Sequence, residues 1–120
     1  MKNSTKILGI SAFYHDSSAV LLEDENILAA VQEERFTRDK FDSSFPINSI
    51  NFCLKKTNIQ EESLDAIVFY ENPFIKYKRI KEFQKKTFPY NPIKKFKLIS
   101  RWLDEKFDIT QYIQNFIPNF

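Results

Sequence analysis

The stretch Ile7-Leu8-Gly9-Ile10-Ser11-Ala12, then Phe13-Tyr14-His15-Asp16-Ser17-Ser18, then Ala19-Val20-Leu21-Leu22 sets two short apolar runs either side of a polar turn. An apolar run of this length, bounded by turn formers, reads as a strand buried on both faces. Beyond Leu22, the cluster Glu23-Asp24-Glu25-Asn26 reads as a hairpin turn, with Asn26 suited to a left-handed conformation. Ile27-Leu28-Ala29-Ala30-Val31 is then a third strand. Short connections between the three imply an antiparallel meander.

A helix follows. Pro46 suits its first turn, and Ile47, Ile50, Cys53 and Leu54 recur at the spacing of one apolar helix face. Asn58 is placed to end it in the left-handed conformation. Leu64-Asp65-Ala66-Ile67-Val68-Phe69-Tyr70 reads as a fourth strand, and a strand–helix–strand connection favours a parallel return with a right-handed crossover. The fold class is therefore α/β: a β-β-β-α-β unit over residues 1–72, then a helical, basic extension over 73–120. Within that extension, Pro89 and Pro92 mark breaks, and helices are expected over Phe74–Thr87, Ile93–Lys106 and Asp108–Phe116.

Composition fits a folded domain. The 120 residues are 42% hydrophobic, with 13 Phe, against 28% charged, a globular mixture with room for one core. The single glycine, Gly9, means that sharp turns fall to Asn, Asp and Pro. Cys53 cannot form an internal disulfide, and its place on the apolar helix face makes it a packing residue. One Cys and one His exclude a zinc cluster of the Cys/His type. His15 and Asp16 interrupt the N-terminal apolar run after eight residues and no small-residue cleavage site follows, so a signal peptide is not expected, and nothing approaches a membrane span. A cytoplasmic location is expected.

His15 and Asp16 carry the chemistry of the polar turn. Histidine gives or takes a proton near neutral pH, and an adjacent carboxylate orients it or meets a cation. At the ends of the first two strands, the pair falls on the sheet rim where open α/β folds bind ligands. On spacing alone, an ordinary surface turn is the preferred reading of these residues.

The segment Ile7–Ala19 resembles the opening motif of carbamoyltransferases of the nodulation and antibiotic-modifying type. At the expected distance, Glu33-Glu34-Arg35-Phe36-Thr37-Arg38-Asp39-Lys40-Phe41-Asp42 resembles the second motif of that family. Phe45-Pro46, Ile50, Cys53-Leu54, Leu64–Glu71 and Trp102-Leu103 continue the likeness, so it covers nearly the whole chain. The resemblance implies the front half of an actin/Hsp70-like (ribonuclease H-like) ATPase domain, close to the universal tRNA threonylcarbamoyl-transfer subunit. Residues 1–120 would then be one incomplete domain.

By the same resemblance, the enzyme moves a carbamoyl group from carbamoyl phosphate, through an ATP-derived carbamoyl-adenylate, to a hydroxyl of a sugar or antibiotic-like acceptor. His15 matches the family histidine, a base or orienter at that hydroxyl, with Asp16 beside it. Arg35, Arg38 and Lys40 match basic positions that hold phosphate or carbamoyl oxygens. The alternative for these three is a solvated charge cluster with Glu33, Glu34 and Asp39.

Two departures stand out: a glycine usual after the second strand is replaced by Glu23–Asn26, and a histidine usual after Lys40 is Phe41. The family's later pair of metal-binding histidines and its nucleotide loop do not occur here. ATP and a divalent metal are thus expected to need a further C-terminal part, and the 120 residues alone to be inactive. Membrane partners are not expected.

Charge is uneven. Residues 76–101 carry ten Lys/Arg and one acid, interleaved with Tyr77, Phe83, Phe88, Tyr90 and Phe96. Such a stretch suits a small nucleic-acid-binding or adaptor module. Solvated helix faces with Ile80 and Phe83 packed inward account for it more simply, so nucleic acid is not the expected partner.

Overall fold

The computed structural model describes residues 3–71, 75, 78, 79, 81, 82 and 109–120. Four strands are found among them, β1 (Lys6–Ser11), β2 (Ser18–Glu23), β3 (Asn26–Gln32) and β4 (Ala66–Phe69). They form one sheet in the order β3-β2-β1-β4. β1 pairs antiparallel with β2, and β2 with β3, while β4 runs parallel to β1. The meander and the parallel return are both present, so the sheet is mixed. Its helices are α1 (Glu34–Thr37), α2 (Ile47–Thr57) and α3 (Ile109–Phe116), with a 3-10 turn at Glu61–Ser63. α1 and the 3-10 turn are additions to the expected elements, and α3 matches the expected last helix.

Register explains the core. Leu8 lies opposite Leu21 and Ile67, and Ile10 opposite Ala19 and Phe69. Because strand side chains alternate between faces, these residues share one face with Ala29, the partner of Leu21. α2 packs on that face through Ile50, Cys53 and Leu54, all buried. Each such aliphatic burial contributes about 1.5–3 kcal/mol. The Cys53 thiol sits 3.7 Å from the Ala19 carbonyl and is a packing residue, as its spacing implies. α2 begins directly after Pro46 and stops at Asn58, whose φ of 58° is left-handed and whose N–H reaches the Leu54 and Lys55 carbonyls.

The opposite face carries the one close approach that demands glycine. A Cβ on Gly9 would stand 2.9 Å from Val20 Cγ1, across the β1–β2 register pair.

The hairpin between β2 and β3 differs from expectation. The left-handed residue is Asp24 (φ 53°), not Asn26. Asn26 already pairs with Glu23 in the ladder, so the turn is Asp24-Glu25 and its positive φ falls on the first of the two. Asp24 is held there by its N–H to the Thr5 carbonyl and by its carboxylate to the Thr5 N–H, both 2.8 Å.

Residues Met1–Tyr70 and Gln114–Phe120 form one compact unit, and Glu71–Ile113 form another. In the first, Phe116 stacks on Phe45 with ring centres 5.2 Å apart, Ile117 is buried, and the Asn119 N–H donates to Glu61 at 3.2 Å. In the second, Lys78, Arg79, Lys81 and Glu82 are helical and exposed. These fall within the helix expected over 74–87; the remainder of that helix, the helix expected over 93–106 and the rest of the basic stretch over 76–101 lie outside the described residues. No helix among the described residues is long and apolar enough to cross a membrane.

Candidate functional site

Strand directions fix where the polar segments meet. β1, β3 and β4 run the same way and β2 runs against them. The β1–β2 turn, the segment after β3 and the residue following β4 therefore emerge at one edge of the sheet, the carboxyl end of its parallel pair. That edge is where open α/β sheets bind ligands. Backbone hydrogen bonds join the first two segments there. Phe13 N–H donates to the Ser43 carbonyl, Ser17 N–H to the Asp42 carbonyl, and Glu33 N–H to the Ser17 carbonyl, each at 2.8 Å.

His15 and Asp16 are brought together. His15 Nδ1 lies 2.7 Å from Asp16 Oδ2, and the ring rests against Tyr14 with centres 4.4 Å apart. The His15 side chain keeps 58% of its exposure and that of Asp16 31%. A neutral imidazole donating from Nδ1 to the carboxylate presents its Nε2 lone pair outward. Asp16 adopts φ 51° and Phe13 φ 68°, a conformation that disfavours side chains bearing a Cβ. Directly after them, Ser17 is 0% exposed and its hydroxyl has no hydrogen-bond partner.

Arg35, Arg38 and Lys40 lie on the segment after β3, all exposed. None of the three forms an ion pair among the described residues, with His15 and Asp16 or with any other. Lys40 Nζ sits 5.0 Å above the Phe41 ring. Arg38 (φ 61°) and Phe41 (φ 60°) are left-handed, so four of the six positive-φ residues that are described belong to this rim.

Two of the three acids of the alternative charge cluster are engaged elsewhere, while Asp39 stays exposed between Arg38 and Lys40. Glu33 is buried, and Glu34 accepts the Phe41 N–H at 3.2 Å. The rim thus carries three exposed cations and one histidine–carboxylate pair, side chains of the kinds that meet anionic phosphate and transfer protons. Among the described residues no group of three His, Cys, Asp or Glu side chains is placed to hold a metal.

The family model for the carbamoyltransferase N-terminus matches residues 6–118 of this chain. The chain belongs to the carbamoyltransferase family, as its N-terminal part. An uncharacterized protein of Synechocystis sp. is 49% identical over 102 residues, which is 85% of this chain and 17% of that protein. Nodulation protein NolNO of Sinorhizobium fredii is 40% identical over 60 residues, half of this chain and 9% of its own length. An uncharacterized protein of Methanocaldococcus jannaschii is 40% identical over 80 residues, 65% of this chain and 15% of its own length. The chain spans less than a fifth of the length of each of these three relatives.

In this carbamoyltransferase N-terminus, two further residues organise the rim. The Glu33 carboxylate accepts four hydrogen bonds, from the N–H and side-chain amide of Asn48 (3.2 and 2.7 Å) and the N–H and hydroxyl of Ser49 (2.9 and 2.7 Å). Asp42 accepts from Thr37 Oγ1 at 2.6 Å, Ser44 N–H at 2.9 Å and Ser44 Oγ at 2.6 Å. Those bonds, led by the Ser44 hydroxyl, hold its carboxyl below the usual carboxylate range. Neither role follows from spacing. The one sequence signal for Glu33 is indirect: α2 opens on Pro46, which has no capping side chain, so its free N–H groups need an acceptor from elsewhere.

Proposed function

We propose that this chain supplies the acceptor-activating edge of an O-carbamoyltransferase that uses ATP and carbamoyl phosphate. The observation that carries the reading is the 2.7 Å contact between His15 Nδ1 and Asp16 Oδ2 at the rim, with the ring largely exposed. Asp16 fixes the tautomer, and His15 Nε2 takes the proton of an acceptor hydroxyl. The hydroxyl oxygen then bonds to the carbamoyl carbon. The bond from that carbon to its phosphate-bearing leaving group breaks, and the leaving oxygen keeps the electron pair. Removal of the proton during attack keeps the newly bonded acceptor oxygen from carrying a positive charge.

Arg35, Arg38 and Lys40 hold the phosphate and carbamoyl oxygens of the donor. Their exposure, and the absence of any ion pair to them among the described residues, support this, since an anion there reaches cations held by no close carboxylate partner among those residues. ATP, when bound, supplies the adenylyl group that activates the carbamoyl carbon. The described residues form no metal-ligand group, so no step is assigned to a divalent metal.

The order β3-β2-β1-β4, with a helix linking the meander to a parallel fourth strand, supports assignment to the actin/Hsp70-like class. A cytoplasmic setting follows from the donor chemistry, because ATP and carbamoyl phosphate are intracellular metabolites. The acceptor is a hydroxyl of a sugar or antibiotic-like molecule.

The test is a reaction of the full-length protein with ATP, carbonyl-labelled carbamoyl phosphate and a panel of polyhydroxylated acceptors. Label in a carbamate ester of an acceptor, with AMP and pyrophosphate released in equal amounts, supports the reading. Label that never leaves the donor, with every acceptor tried and ATP untouched, refutes it.

A further inference from the structure

Two separate segments must stand in register for the rim to work, and one buried side chain touches the supports of both. Glu33 is 1% exposed. Its N–H donates to the Ser17 carbonyl at 2.8 Å, one residue beyond the His15–Asp16 pair. Its own carbonyl accepts the N–H groups of Phe36 and Thr37 at 3.0 and 3.1 Å, which starts α1 and carries Arg35 and Arg38. Its carboxylate is fastened to the N-terminus of α2 by the four bonds from Asn48 and Ser49.

The fit at α2 is complete. Pro46 has no N–H, Ile47 N–H goes to the Phe45 carbonyl, and Ile50 N–H begins the helical ladder at Pro46. The two remaining free N–H groups of the first turn, Asn48 and Ser49, are the ones Glu33 takes. Among the described residues no Lys or Arg lies within ion-pair distance of this carboxylate. Its charge is balanced by the helix end and by the four donors.

The loops that Glu33 holds do not sit in relaxed conformations. Phe13, Asp16, Arg38 and Phe41 are all left-handed, and the buried Ser17 hydroxyl is unpartnered. Such features persist only where surrounding structure fixes them.

We propose that Glu33 is a positioning residue for carbamoyl transfer: it registers the His15–Asp16 turn against the Arg35–Lys40 segment by anchoring both to α2. This rests on the reading of the rim given above. Glu33 does not meet substrate; it acts through the two segments. Its loss therefore shows as weaker donor binding and slower transfer, beyond whatever stability is lost.

The experiment compares Glu33→Gln with Ile50→Val and Ile50→Ala in the full-length protein. The Ile50 variants weaken the α2 packing without touching Glu33, and bracket its stability loss. Glu33→Gln keeps the shape but replaces an acceptor oxygen with an NH2 group facing Ser49. The expected result is a KM for carbamoyl phosphate raised about tenfold in Glu33→Gln, since small misplacements of catalytic groups cost that much or more. The Ile50 variant of matching melting temperature keeps the wild-type KM. An equal KM in the two overturns the proposal.

Should Glu33→Gln fail to fold, Asn48→Ala decides. It removes one of the four bonds, and a KM raised about twofold to threefold supports the proposal, whereas an unchanged KM overturns it. Wild-type protein that transfers no carbamoyl group at all sinks the functional reading itself, a result distinct from active protein that is indifferent to Glu33.

Discussion

The carboxylate of Glu33 and the first turn of α2 meet at Ser49, whose N–H and hydroxyl both donate to one carboxylate oxygen, at 2.9 and 2.7 Å. Sixteen positions separate the two residues in the chain. The contact gives a proline-led helix the acceptor that its own sequence does not provide, and it ties the second family motif to the core. An acidic residue in a charged-looking run is here an internal fastener.

Replacing Glu33 by Ala leaves two helix N–H groups and the buried Ser49 hydroxyl without acceptors. The loss is expected to be on the order of 3 kcal/mol, the scale for buried donors deprived of a charged partner. Urea unfolding followed by far-UV circular dichroism checks it. A loss below about 0.5 kcal/mol, the range of ordinary surface substitutions, contradicts the contact.

Asp42 makes the rim sensitive to acid. Its carboxyl is held below the usual range by the Ser44 and Thr37 hydroxyls and the Ser44 N–H. A depressed folded pKa contributes stability that is present above the unfolded carboxylate pKa. That stability is lost as pH falls through the folded value. Ser44→Ala removes the largest contributor, so the acid limb of the stability curve moves to higher pH. NMR titration of the Asp42 carboxyl reads the same shift directly, and an unmoved titration counts against it.

Gly9→Ala places a methyl group 2.9 Å from Val20 Cγ1. Overpacking of this kind costs about 1–3 kcal/mol. Val20→Ala in the same molecule makes room, so the double variant is expected to recover part of the loss. Simple additivity in a double-mutant cycle of urea midpoints would argue that the two residues do not touch.

Cys53 is buried, and burial pushes its thiol pKa up. It is expected to ignore Ellman's reagent at mildly alkaline pH until urea unfolds the chain. Full labelling at the rate of a free thiol under native conditions would place it at the surface instead.

Much of the fold is legible because its elements are locally consistent. The apolar runs of β1, β2 and β3 are short and punctuated by polar turns, and α2 is bracketed by Pro46 and Asn58, which force a start and a stop. α1 spans four residues and the 3-10 turn three, too few for any periodicity to register. The hairpin misassignment has a similar origin: Asn and Asp both tolerate a left-handed φ, and only the register decides between Asp24 and Asn26. At the rim, the His15–Asp16 pairing is readable since the two are neighbours. Glu33 is not, because an acidic residue beside Glu34 and Arg35 reads as solvated until the fold carries α2 across to it.

The central claim is that His15 serves the acceptor hydroxyl and not the architecture of the chain. His15→Asn in the full-length protein tests it most directly, with ATP-dependent adenylate formation and carbamoyl transfer measured separately on the same preparation. Transfer is predicted to fall on the order of a hundredfold or more, the contribution of a positioned general base, while adenylate formation stays at the wild-type rate. Equal losses in both steps would contradict the account and make His15 a structural residue of the turn.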